Sequence, residues 1–157
     1  MTKVLNDTVR FGLVPLIARL LLVSEFLVAL NGKITGWDGQ AAYMASKGMH
    51  FIPPLLGAAL VIELVGSICL ITGYRAQIAA AVMFVYLGIV SVRLHAFWNQ
   101  TGMAAGLNQG QFFKNLGMMG GLLMIAVYGA GRWVVGRQRR DERRETRDER
   151  RETRDER

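Results

Sequence analysis

Apolar residues gather in four long runs along this chain, Leu13 to Leu30, Leu55 to Thr72, Ala76 to Leu94 and Leu116 to Val127, separated by short polar stretches rich in glycine. The first run alone has about the length needed to cross a hydrocarbon core of roughly 30 Å. Extended to their polar edges, the runs predict membrane spans at 13–32, 54–73, 76–97 and 112–134. Pro53-Pro54 opens the second, since proline is tolerated in a first helical turn. Gly73-Tyr74-Arg75 is a tight turn, and Asn31 to Pro54 and Asn99 to Gly110 read as loops. Trp37 and Tyr43 suit a membrane interface, where amphipathic rings settle. Connections this short place successive helices side by side. The expected fold is therefore all-α, an integral membrane up-down four-helix bundle.

Charge then divides the chain in two. Residues 137–157 hold ten arginines and eight acids in a repeating heptad, DERRETR, while the first 136 positions hold nine Lys or Arg and four acids. The division gives a membrane domain at 1–136 and a charged low-complexity tail at 137–157. The heptad lacks the two apolar positions a coiled coil needs, and as a helix it sets like charges four apart, Arg143 with Arg147 and Glu145 with Glu149. A solvated extension is expected there. The net charge of +7 does not signal nucleic acid, because the excess lies beside the spans. Lys3, Arg10, Arg75, Arg132 and the tail fall on one side, against Lys33 and Lys47 on the other, so both termini are expected in the cytoplasm. The basic start resembles a signal peptide, but Arg19 and Glu25 interrupt the first run and no A-x-A cleavage site follows, so an uncleaved span is expected.

Ionisable groups inside spans are costly and therefore candidates for function. Counting about 1.5 Å per residue from the span ends places Glu25 and Glu63 near mid-membrane, Arg19 nearer the cytoplasm, and Lys33, Arg93, His95 and Lys114 near the outer side. Arg19 and Lys33 lie within about 40° on one helix face. Arg93 and His95, two apart, are opposed by about 200°, and His95 is taken as the inward one because Arg93 has the longer stem to snorkel with. The expected outer pocket is Lys33, His95, Lys114 and Asn115, able to hold an anion or a quinone headgroup. Arg19, Glu25 and Glu63 are candidates for an intramembrane ion pair or relay, Arg19 with Glu63 fixing helix register and Glu25 as a neutral hydrogen-bond donor. The spacing of Gly117 and Gly121 suits close approach of helices in lipid. No metal site is expected, since His50 and His95 lack ligand spacing, and the lone Cys69 rules out an intrachain disulfide or redox pair. Nucleophilic triads and phosphate-cradling glycine loops are absent as well.

Taken in order, Arg19, Asn31-Gly-Lys33, Tyr43-Met-Ala-Ser46, Glu63 with Gly66 and Gly73, His95-Ala-Phe-Trp98, and Phe112-Phe-Lys-Asn115 with Gly120-Gly121 resemble the DoxX family, and within it the YphA-like inner-membrane members. The likeness runs from about Val14 to Gly131. It departs at Arg132-Trp133-Val134, where Ser-Leu-Asp often follows the last glycine, and in the heptad tail. The resemblance implies a multi-pass protein of the bacterial inner membrane, an accessory subunit of a quinone-linked oxidoreductase system acting on thiols, thiosulfate or oxidative stress. A quinone is the ligand it implies, with no covalently bound cofactor, and its partners would be the lipid bilayer and a membrane oxidoreductase or further copies of itself. The residues alone leave open a non-enzymatic scaffold or small-molecule carrier. They supply no complete catalytic set, so whether the chain is itself an enzyme is left open.

Overall fold

The computed structural model describes residues 12–135, and within them all the regular secondary structure is helical. Five α-helices follow one another: α1 (Val14–Thr35), α2 (Trp37–Ser46), α3 (Ile52–Thr72), α4 (Ala76–Leu94) and α5 (Gly102–Tyr128), with a 3-10 turn at Phe97–Asn99 before α5. Three of them, α1, α3 and α4 extended through Asn99, are long and apolar enough to cross a membrane. They also keep large apolar side chains on their outer faces, Val28, Val61 and Ile78 among them. Such faces are at home against acyl chains, which are as apolar as leucine.

The start of each helix follows from its sequence. Proline falls in the first turns of α1 and α3. The turn between α3 and α4 is tight because Gly73 (φ 75°) and Arg75 (φ 48°) both take left-handed backbone. Gly73 is also fixed by packing: a Cβ there would come within 2.8 Å of Nη1 of Arg19.

The long helices pack as α1 on α3, α3 on α4, and α4 on α5. Gly66 permits the α3–α4 approach, since a Cβ at that position would collide with the Met83 side chain. The main core gathers Val23, Phe26, Leu70, Ala80, Met83, Leu87 and Leu122. A smaller cluster of Met44, Leu56 and Leu94, with Trp37, Tyr43 and Met49 against it, seats α2 on the rest.

Three expectations need correction. The stretch Asn31–Pro54 is not a loop: α1 continues to Thr35 and α2 follows at once, because the interval WDGQAAYMAS lacks proline and offers Trp37, Tyr43 and Met44 to the core. The expected loop at Asn99–Gly110 is mostly helix, and α5 starts at Gly102, ten residues before the predicted span. It stops at Tyr128, not 134, where Gly129 (φ 84°) breaks it. Its early turns carry no charge, so polarity without charge was misread as a loop. The heptad tail, Lys3 and Arg10 lie outside the described residues.

Candidate functional site

Antiparallel neighbours bring the end of α1, the start of α3, the end of α4 and the start of α5 to one pole. There a cavity of about 510 Å³ opens between the helices. Lys33, His95, Lys114 and Asn115, distant in sequence, all line it, together with Glu25, Glu63 and Arg93. The volume is that of a small-molecule site, which commonly runs to some 300–1,000 Å³. Most of the remaining wall is apolar, with Phe26, Leu56, Ile62 and Leu87 contributing.

Its most polar feature is a three-residue cluster. Nζ of Lys33 donates to both carboxylate oxygens of Glu63, at 2.8 and 2.9 Å, and the Tyr86 hydroxyl donates to Oε1 at 2.7 Å. The pair is shielded, with side-chain exposures of 14% for Lys33 and 3% for Glu63. A carboxylate so enclosed requires this degree of satisfaction, because an ion left unpaired in such surroundings costs several kcal/mol. A one-residue rule explains why Lys33 reaches it: a helical side chain leans back over the preceding turn, toward the membrane interior in this direction of travel.

Arg19 does not pair with Glu63, contrary to expectation. It lies at the opposite pole, where its guanidinium donates to the carbonyls of Pro15 (3.3 Å), Leu70 (3.0 Å) and Trp133 (2.8 Å). The reason is reach: Glu63 is nearly two turns before Leu70 on α3, and Lys33 enters from the other side. The N–H of Val135 donates to the Thr72 carbonyl at 2.9 Å, so Arg19 and this bond together hold the segment after α5 against the end of α3. Arg19 is a clamp here and takes no part in the cavity.

Glu25 meets Lys114 across the seam between α1 and α5: Nζ of Lys114 donates to its Oε2 at 3.2 Å, with both side chains more than two-fifths exposed. His95 ends α4 and lies half-buried, its Nδ1 2.9 Å from Oδ1 of Asn108. With that oxygen as acceptor the His95 proton is on Nδ1, which leaves Nε2 as an acceptor. The Tyr43 hydroxyl is 2.8 Å from the Leu94 carbonyl and 3.1 Å from the same Asn108 oxygen, and its single proton serves one at a time. Asn115 is buried and donates to Oγ of Ser91 at 3.1 Å. Arg93, expected to point away, borders the cavity as well.

Tyr86 and Asn108 were missed by sequence reasoning, and Tyr43 was read as an interfacial ring with no part in the cavity. Each is an uncharged residue in a run otherwise read as lipid-facing or as loop. Tyr86 alone left a trace, as the one tyrosine in the middle of an apolar run, where a hydroxyl must find a partner. Gly117 does not pack against another helix of this chain, since a Cβ there would meet nothing within 4 Å, while one at Gly121 would lie 3.6 Å from Leu22. Among the described residues no three His, Cys, Asp or Glu side chains gather as a metal site would require.

Residues 14–96 match the DoxX family model. The chain is 35% identical to the inner membrane protein YphA of Escherichia coli (strain K12) over 118 residues, 74% of this chain and 83% of that one. It is 32% identical to the inner membrane protein YqjF of the same organism over 123 residues, 78% of this chain and 88% of that one. A weaker likeness, 28% over 72 residues, joins it to the ER-derived vesicles protein ERV29 of Saccharomyces cerevisiae and covers 46% of this chain and 23% of that one. No solved structure matches it. With three helices able to span a bilayer and this match to inner-membrane relatives, the chain belongs to the DoxX family and is a multi-pass protein of the bacterial inner membrane.

Proposed function

We propose that this protein is a membrane-embedded quinone-binding subunit of an oxidoreductase system, its cavity receiving the quinone headgroup. The observation that carries the reading is the cavity itself, an apolar chamber with Lys33, Glu63 and Tyr86 in one part of its wall and His95, Lys114 and Asn115 in another. A quinone ring is flat and apolar with two carbonyl acceptors on opposite edges. It needs apolar walls and separated donors, and this wall has both. Lys33 donates to both Glu63 oxygens and, at 3.5 Å, to the Ala29 carbonyl, and that long third bond is the one a ligand carbonyl would displace. Lys114 and Asn115 offer further N–H groups.

Reduction of a bound quinone takes up protons as well as electrons. The Glu63–Tyr86–Lys33 cluster is a short chain of exchangeable protons beside the headgroup. Electrons come from a partner oxidoreductase, because a chain with one cysteine cannot form its own dithiol couple. In this reading α5 is the fourth span, the four long helices form an up-down bundle, and both termini face the cytoplasm, leaving the cavity toward the outer leaflet.

The test is quinone binding by the full chain in lipid nanodiscs. A short-chain benzoquinone should bind saturably, and Lys114→Met or His95→Leu should each weaken it about tenfold, the equivalent of one hydrogen bond of roughly 1.4 kcal/mol. Absence of saturable binding, or equal affinity in both variants, refutes the proposal.

A further inference from the structure

α1 packs on α3 and α5 packs on α4, but α1 and α5 scarcely touch each other. Between them runs a second groove, of about 640 Å³, with Pro15, Ala18 and Leu21 on one bank and Gly117, Gly121 and Met124 on the other. Its banks are apolar apart from Glu25, Arg19 and the Tyr128 hydroxyl, and the guanidinium of Arg19 is taken up by three carbonyls. Glu25 and Met118 border both this groove and the cavity, so the two spaces adjoin. The Glu25–Lys114 pair crosses the seam at that junction.

We propose that the groove is the tail subsite of the cavity's ligand, a lipid with one polar head and a single long apolar chain. The inference rests on the quinone-binding reading above and assigns the part of the molecule that reading leaves outside the cavity. The head lies at Lys33–Glu63, and the tail passes beneath Glu25–Lys114 and along Gly117 and Gly121. From Glu25 to Pro15 the groove follows ten residues of α1, about 15 Å of helix, half the hydrocarbon thickness of roughly 30 Å. It thus lies at the depth where an acyl or prenyl chain already is.

The glycines are the other half of the argument. Among the described residues a Cβ at Gly117 meets nothing within 4 Å, so no contact among them demands glycine there. What the missing side chain leaves is a smooth bank for a flexible chain. The same vacancy means that a larger residue can be tolerated by the fold and will fill the groove.

The experiment compares two probes on the full chain in nanodiscs: 2,3-dimethoxy-5-methyl-1,4-benzoquinone without a tail, and its decyl homologue, with concentrations referred to the bilayer. Wild type should bind the decyl compound about tenfold more tightly. Gly117→Leu should abolish that preference and leave the tail-less compound unchanged. Gly120→Leu, equally free of contacts but outside the groove, should change neither. A decyl homologue carrying a photoreactive group at its tail end should label Met124. If the tail-less compound binds and the tail adds nothing, the inference falls and the headgroup reading stands; if neither binds, both fall. A Gly117→Leu protein that weakens both probes alike, or that turns from oligomer to monomer, overturns it too, the latter by making the groove a seat for a second copy.

Discussion

Replacing Lys33 by methionine removes one charge from a pair that is otherwise closed. At about 3 Å and an effective dielectric of about 20, the lost attraction is about 5 kcal/mol. Nothing else near the carboxylate is cationic and bonded to it: its other partner is the Tyr86 hydroxyl at 2.7 Å. Relaxation around the site returns part of this, so Lys33→Met should lose about 3–5 kcal/mol, the range for breaking a buried pair by removing one partner.

Reversible unfolding in bicelles measures it. Lys33→Met combined with Glu63→Gln should recover most of the loss, because no unpaired carboxylate remains. A Lys33→Met protein within about 1 kcal/mol of wild type, or a double variant no more stable than Lys33→Met alone, would refute the account of the pair.

Tyr86→Phe removes a hydrogen bond to a charged acceptor and should cost about 1.5–3 kcal/mol, read from the same unfolding curves. Glu25→Gln with Lys114→Met should cost no more than about 1 kcal/mol, since the pair is two-fifths exposed, and a larger loss would show that it braces α1 against α5. Arg19→Leu should cost 3 kcal/mol or more and expose the segment after Gly129 to protease, by leaving the Leu70 and Trp133 carbonyls without donors. Arg19→Lys should not rescue it, as a single ammonium cannot reproduce the fork that spans two separate carbonyls.

Apolar runs marked α1, α3 and α4 within a few residues, because length and composition alone identify a helix able to cross a bilayer. The same signal failed for α5, whose early turns read GMAAGLNQGQ and carry neither charge nor a long apolar run. Helical rise counted from the span ends brought Lys33, His95 and Lys114, with its neighbour Asn115, to one end, and they do border one cavity. It could not choose partners. Arg19 and Glu63 were joined because each was the conspicuous ion of its span, yet the partner of Glu63 is decided by depth, and Lys33 approaches from its own side while Arg19 is drawn to carbonyls that no sequence pattern displays. Hydrogen-bonding tyrosines and asparagines were the least legible, since Tyr43 and Asn108 act through each other, through His95 and through backbone carbonyls that no sequence pattern displays.

The two poles solve the same problem in different ways. At the Arg19 pole a buried cation is satisfied by backbone carbonyls, the residue is 1% exposed, and Gly73 closes over it. Backbone acceptors cannot titrate or leave, so that pole can only hold the helix ends together. At the Lys33 pole the cation is satisfied by a side chain that can accept a proton, beside a third side chain that can donate one, and all three border open space. Stability alone would favour the first arrangement, or well-packed apolar residues in place of either pair. Stability alone therefore does not account for an ion pair at the wall of a cavity, with a hydroxyl in contact, and the proposed ligand reading does.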